Sequence, residues 1–142
     1  MPDYSYIARK MLSLHDIRVR KWRTSMSGCA WRICYHDGGA INWIEAPRPR
    51  SPISLAIFLH EIGHHVIGFD TYRQRCLEEL HAWKWAIRTM HKLGIKPTGG
   101  VTRRFQRSMQ YAVGKALRRR IKRVPKELRS FMPRLLVDSI PA

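Results

Sequence analysis

"FLHEIGHHVIGF", residues Phe58 to Phe69, sets His60, Glu61 and His64 inside an otherwise apolar run. Leu55, Ile57, Phe58, Leu59, Ile62, Val66 and Ile67 predict a helix over 54–68 that is apolar nearly all round, begun by Pro52 or Ser54. Such a helix belongs in the middle of a domain. Positions i and i+4 share a face, so His60 and His64 point the same way. Two neutral imidazoles at that spacing can take two corners of a zinc tetrahedron, each at about 2.0–2.1 Å. Glu61 is turned about 100° from His60 and is placed to act on a water at the same centre. Two ligands and a general base is how the His-Glu-x-x-His pattern works chemically. Burying two imidazoles and a carboxylate without compensation costs several kcal/mol, and a metal is a natural compensation. Gly63 leaves room for a close approach, and His65 reads as a packing or surface histidine.

A catalytic zinc needs a third protein ligand and an open position. The next helix, predicted over Tyr72 to Leu93 and stopped by Gly94, offers Glu78, Glu79 and His81 in "CLEELHAWKWA". At about 100° per residue, Cys76, Leu80, Trp83, Ala86, Ile87 and Met90 fall on one arc. Glu79 lies inside that arc, where a carboxylate needs a partner. Glu78 lies at its edge and reads as a solvated surface carboxylate. His81 falls on the far side with Lys84 and Arg88. Small Ala82 and Ala86 beside Glu79 would let the two helices approach closely.

Working outward, Ser5 to Leu14 reads as a short helix with Ile7, Met11 and Leu14 on one stripe. "IRVRKW" (Ile17 to Trp22), "CAWRICY" (Cys29 to Tyr35) and "AINWIEA" (Ala40 to Ala46) read as strands. "HDGG" makes the last two a hairpin, because Asp-Gly and Gly-Gly tolerate positive φ. "PRPRSP" ends the sheet. "PTGG" reads as a hinge before a final helix over Thr102 to Val124. That helix carries Phe105, Met109, Ala112, Ala116 and Leu117 on one side and basic residues on the other. The tail "FMPRLLVDSIPA" has no clear period.

The chain has 142 residues, 44% of them hydrophobic, which suits one domain with a real core and excludes a wholly disordered chain. No apolar run is long enough to span a bilayer, and "MPDYSYIARKML" lacks a secretory layout. The expectation is a soluble, cytoplasmic protein. Cys29, Cys34 and Cys76 read as reduced, mostly buried thiols. There are 27 Lys and Arg against 10 Asp and Glu, a net charge of +17. From Val101 onward, 12 basic residues face only Glu127 and Asp138. Such a field attracts polyanions.

"HEIGHHVIG" followed by "EELHAWKWA" resembles the small intracellular gluzincins, namely the minigluzincins and the ImmA/IrrE-like metallopeptidases. Their second helix carries Glu-x-x-Ala, then an aromatic residue and another alanine; Glu79, Ala82, Trp85 and Ala86 match it. The resemblance covers about residues 1 to 94. It implies an α+β, zincin-like fold: a small three-stranded sheet packed on an active-site helix and a glutamate helix. It implies a core over 1–96; residues 97–142, which it does not cover, read as a basic helical extension packed on or flanking that core. It implies Zn2+ held by His60, His64 and Glu79, Glu61 as general base, and a peptide or protein substrate. It also implies that the strand through Ile41, Trp43 and Ile44 pairs with substrate at a sheet edge. Trp83 departs from the pattern, standing where these relatives carry Asn or Asp to support a ligand histidine. The oxyanion-stabilising group has three candidates, Tyr72, Tyr111 and His91.

The leading expectation is a zinc-dependent endopeptidase. A nucleic-acid-associated protein on a zincin-like scaffold is the alternative, binding through Arg118, Arg119, Arg120, Lys122 and Arg123. The same basic run also suits an acidic protein partner. A third reading is a latent proenzyme whose C-terminal tail lies over the cleft.

Overall fold

Ser51 and Ser54 define where the central helix begins. Ser51 Oγ accepts from the Ser54 backbone N–H, and Ser54 Oγ accepts from that of Ser51 at 3.0 Å. This reciprocal cap, with Pro52 at the first helical position, starts the helix cleanly. A computed structural model of the chain describes residues 2–132. Its helices are α1 (Tyr4–Leu14), α2 (Pro52–Ile67), α3 (Arg75–Lys92) and α4 (Gly99–Arg118), with a 3-10 turn at Lys126–Phe131. Its strands are β1 (Ile17–Arg23), β2 (Cys29–Cys34) and β3 (Ala40–Pro47). The architecture is α+β with one small mixed sheet.

The sheet order is β1-β3-β2. β3 pairs parallel with β1 and antiparallel with β2. The strand through Ile41, Trp43 and Ile44 is therefore central, with both of its edges occupied, and is not the free edge expected of it. Among the described residues, the unpaired edge beside α2 belongs to β2. The second half of β3 is the best-buried part of the sheet: Ile44 and Ala46 are fully buried.

α2 contributes Leu55, Ala56, Ile57, Phe58, Leu59 and Ile62 to the core, all at 1% exposure or less. α3 lies against it with Leu80, Ala82, Trp83, Ala86 and Met90 buried. Contact between the two helices is close at Gly63, where an added Cβ would sit 2.7 Å from the Ala82 carbonyl oxygen. α3 begins three residues after the expected Tyr72, because Gln74 is still extended. On α1, Ile7 and Met11 are buried, but Leu14 is 66% exposed at the helix end. The cysteines are all free; Cys76 is buried, Cys29 partly so, and Cys34 is exposed, so the thiols are not mostly buried.

Two expectations about the C-terminal third are corrected. "PTGG" is not a hinge: Thr98 caps α4 by accepting from the Val101 N–H, and Gly99 and Gly100 are its first residues. The helix also stops at Arg118, short of Val124. Ile121 donates its N–H to Ala116 and Arg120 to Leu117, with Arg120 at φ +61°. That is a Schellman stop with arginine in the left-handed position glycine usually takes. Val101, Met109 and Val113 bury α4 in the same core as α2 and α3. The tail over the cleft was expected of residues that fall largely within 133–142, outside the described ones. No helix among the described residues is long and apolar enough to cross a membrane.

Candidate metal centre

One turn of α2 sets His60 and His64 side by side, their ring centroids 4.7 Å apart. Glu79 of α3 reaches between them. His60 Nε2 lies 2.9 Å from one of its oxygens and His64 Nε2 lies 3.1 Å from the other. The three donor atoms fall within 4.8 Å of one another, so the group could hold a metal ion. Glu61 is next to them, its carboxylate 3.5 Å from His60 Nδ1. The three residues expected as ligands and the expected base are thus brought together.

The carboxylates of this cluster favour positive charge between them. Burial disfavours the His60 imidazolium, but Glu61 and Glu79 outweigh it and raise the pKa. Burial acts likewise on His64, yet bonds to Glu78 and Glu79 lift it to about 10. Burial would raise the Glu79 carboxyl, but its bonds to both imidazoles hold it well below the usual carboxylate range. The carboxylates thus favour positive charge on the two imidazoles, at the place where a metal ion could sit. The donor set of two imidazoles and a carboxylate, facing an open cleft, fits zinc chemistry.

Glu78 is not the solvated carboxylate its edge position suggests. It is 2% exposed, and His64 Nδ1 donates to it at 2.7 Å. A ligand histidine held in this way has its tautomer and ring orientation fixed. Trp83, the departure from the resembled pattern, stacks on His60 at 4.4 Å and 15°, so the ring is supported by aromatic packing. The Trp83 Nε1–H is buried without a partner among the described residues. His65 donates to the Trp43 carbonyl at 2.9 Å, which makes it a packing histidine tying α2 to β3. Burial pushes its pKa down.

The loop between β1 and β2 closes one side of the site. Glu45 on β3 accepts from Arg20 and Arg23 on β1. Arg23 also donates to Ser27 Oγ at 3.1 Å and to Cys29 Sγ at 3.3 Å. This chain of bonds holds Gly28 against Glu61, where a Cβ would meet the carboxylate at 2.7 Å. On the other side, Arg104 of α4 donates to the Met26 carbonyl.

A cleft of about 690 Å³ opens over the metal group. β2 residues Cys29 and Ala30 form one wall, and α4 forms the other with Arg104, Arg107, Tyr111 and Lys115. Of the three oxyanion candidates, only Tyr111 lines the cleft. Tyr72 stacks on His81 at 4.5 Å, and His91 is exposed in the last turn of α3. Arg104, Arg107 and Lys115 were not expected to line the cleft over the metal group. Their signal was available: with Ser108, Tyr111 and Ala112 they recur at helical spacing on one face of α4. Of the basic run, Arg118, Arg119, Arg120, Lys122 and Arg123 are all exposed, and Arg119 lines the cleft. They straddle the helix end and do not share one helical face.

Comparison with family models, with characterised proteins and with solved structures gives no match to this chain.

Proposed function

We propose that this chain is a zinc-dependent endopeptidase of zincin-like arrangement. The observation that carries the reading is the convergence of His60, His64 and Glu79 beside Glu61 at the floor of an open cleft. The resemblance of "HEIGHHVIG" and "EELHAWKWA" to the gluzincins supports it.

His60 and His64 would hold the zinc through Nε2, and Glu79 through its carboxylate. Zinc bound there supplies Lewis acidity, polarising the scissile carbonyl and making water a better nucleophile near neutral pH. Glu61 takes the proton from the attacking water and delivers it to the leaving nitrogen. Glu78 orients His64, and Trp83 fixes the His60 ring from its face. Tyr111 reaches into the cleft from α4 as a donor for negative charge developing on the carbonyl oxygen, with the Arg104 charge beside it. An extended substrate adds to the free edge of β2 at Cys29 and Ala30.

The test is metal content together with hydrolysis. The protein purified with zinc should hold about one zinc per chain, and His60→Ala or His64→Ala should lose it. Glu61→Gln should keep zinc and lose peptide hydrolysis. Wild-type protein without metal after zinc loading would sink the site, and full activity in Glu61→Gln would remove the base.

A further inference from the structure

The cleft is strongly asymmetric in charge. Arg75, at the start of α3, lines it together with Arg104, Arg107, Lys115 and Arg119 from the α4 side. Among the described residues that line it, only Glu61 and Glu79 oppose these five cations, and both belong to the candidate metal group. Among the described residues, none of the five has a carboxylate within 4.0 Å. Arg104 is committed elsewhere, to the Met26 carbonyl and to Ser108 Oγ. Arg107, Lys115 and Arg119 have no side-chain bond to another described residue that would fix them away from a ligand. A divalent cation on the histidines would add further positive charge at the floor.

We propose that this cleft takes acidic peptide segments, with Arg107, Lys115 and Arg119 as the residues that select Asp and Glu near the scissile bond. The proposal rests on the peptidase reading above and names its substrate class. A basic ligand would meet like charge along the whole α4 wall, which costs affinity as surely as the acidic one gains it. A neutral ligand would leave the cations unpaired. The net charge of +17 acts at longer range in the same direction, steering acidic chains towards the protein. Single-stranded nucleic acid is the less favoured occupant, because Tyr111 is the one exposed aromatic ring among the basic residues lining the cleft in the described part of the chain, whereas single-strand binders stack successive bases on several aromatic side chains.

The experiment uses the zinc-loaded full chain and three fluorogenic peptide pools, matched in length and rich in Asp/Glu, Ser/Gln or Lys. Cleavage of the acidic pool should exceed that of the neutral pool by about tenfold or more in kcat/KM, and the margin should shrink with salt. Arg107→Glu with Lys115→Glu should bring the acidic-to-neutral ratio to one or below. Retained zinc and an unchanged circular dichroism spectrum would show that this variant is folded; Arg107→Gln with Lys115→Gln is the milder form. Equal cleavage of acidic and neutral pools would overturn the proposal and leave the peptidase reading standing. Binding is measured separately, by anisotropy of a labelled acidic peptide on zinc-loaded Glu61→Gln protein. Salt-sensitive binding there, with no cleavage of any pool by wild type, would support the ligand class and overturn the peptidase reading. A single-stranded or duplex oligonucleotide that displaces the acidic peptide and binds more tightly would overturn the peptide as occupant.

Discussion

The carboxylate of Glu78 lies 2.7 Å from Nδ1 of His64, on the ring edge opposite the one that faces Glu79. One imidazole is therefore gripped from both ends by neighbouring residues of α3. Glu79 holds the place of a ligand and Glu78 fixes the ring that carries another.

Substitution should separate these two roles. Glu79→Ala removes a donor and should abolish tight zinc binding. Glu78→Ala leaves all three donors but frees the His64 ring and strands a buried N–H. Partners of this kind are worth about 10- to 100-fold in metal affinity. Competition with a chromophoric chelator measures both. Equal loss in the two variants, or no loss in Glu78→Ala, would reject this division.

The two glutamates also show how far the sequence could be read. His60, His64 and Glu79 were legible because helical phase puts each on the apolar side of its helix, supported by the resemblance of the two helices to the gluzincin pattern. Glu78 was not, because its phase sits at the edge of the apolar arc and its burial is decided by a histidine on another helix. The β2–β3 hairpin was legible from Asp37, Gly38 and Gly39. The insertion of β3 between β1 and β2 was not, since no local signal says which edge a parallel strand joins. The end of α4 was misread for a physical reason. Leu117, Ile121 and Val124 continue the helical stripe, and Arg120 gives no sign in the sequence of a left-handed turn.

Zinc binding should release protons, and fewer of them as pH climbs towards 10. Metal ligation needs neutral imidazoles, whereas the metal-free site holds His60 and His64 in raised-pKa states. Calorimetry at pH 7.5 in two buffers of different ionisation enthalpy should report roughly one to two protons released per zinc. The sign for metal-free stability follows from the same groups. His64 rises from 6.5 to about 10, so its contribution is complete below pH 6.5 and fades as pH climbs towards 10. Glu79 is shifted down from 4.5, so its contribution is present above that pH and fades in acid. The stability difference between metal-free wild type and metal-free Glu78→Gln should shrink from pH 6.5 upward. A difference that grows would contradict the assignment.

Gly63 should be intolerant of any side chain. Its Cβ position is 2.7 Å from the Ala82 carbonyl oxygen, which is backbone and cannot swing aside. Gly63→Ala must part α2 from α3, at a cost of about 1–3 kcal/mol for overpacking. The parting also moves His64 relative to Glu79, so zinc affinity should fall together with the melting temperature. Added zinc should recover part of the lost stability by mass action. A variant as stable as wild type would show that the helices are not in close contact there.

Arg120 offers a change of the opposite sign. Its φ of +61° is the left-handed conformation of the stop that ends α4. For a residue with a Cβ that conformation costs about 1–2 kcal/mol, and glycine avoids it. Part of the gain is offset by the greater freedom of glycine in the unfolded chain. Arg120→Gly should therefore stabilise the protein by about 0.5–1 kcal/mol. Arg119 provides the control, because its φ of −87° is ordinary and Arg119→Gly relieves nothing there. That variant should be neutral or destabilised. Removing the Arg120 charge also lowers the net +17 and its self-repulsion, so the comparison should include Arg120→Gln. Only the excess of glycine over glutamine belongs to the backbone. Denaturant melts of the three variants measure it, and a glutamine variant as stable as the glycine one would assign the whole effect to charge.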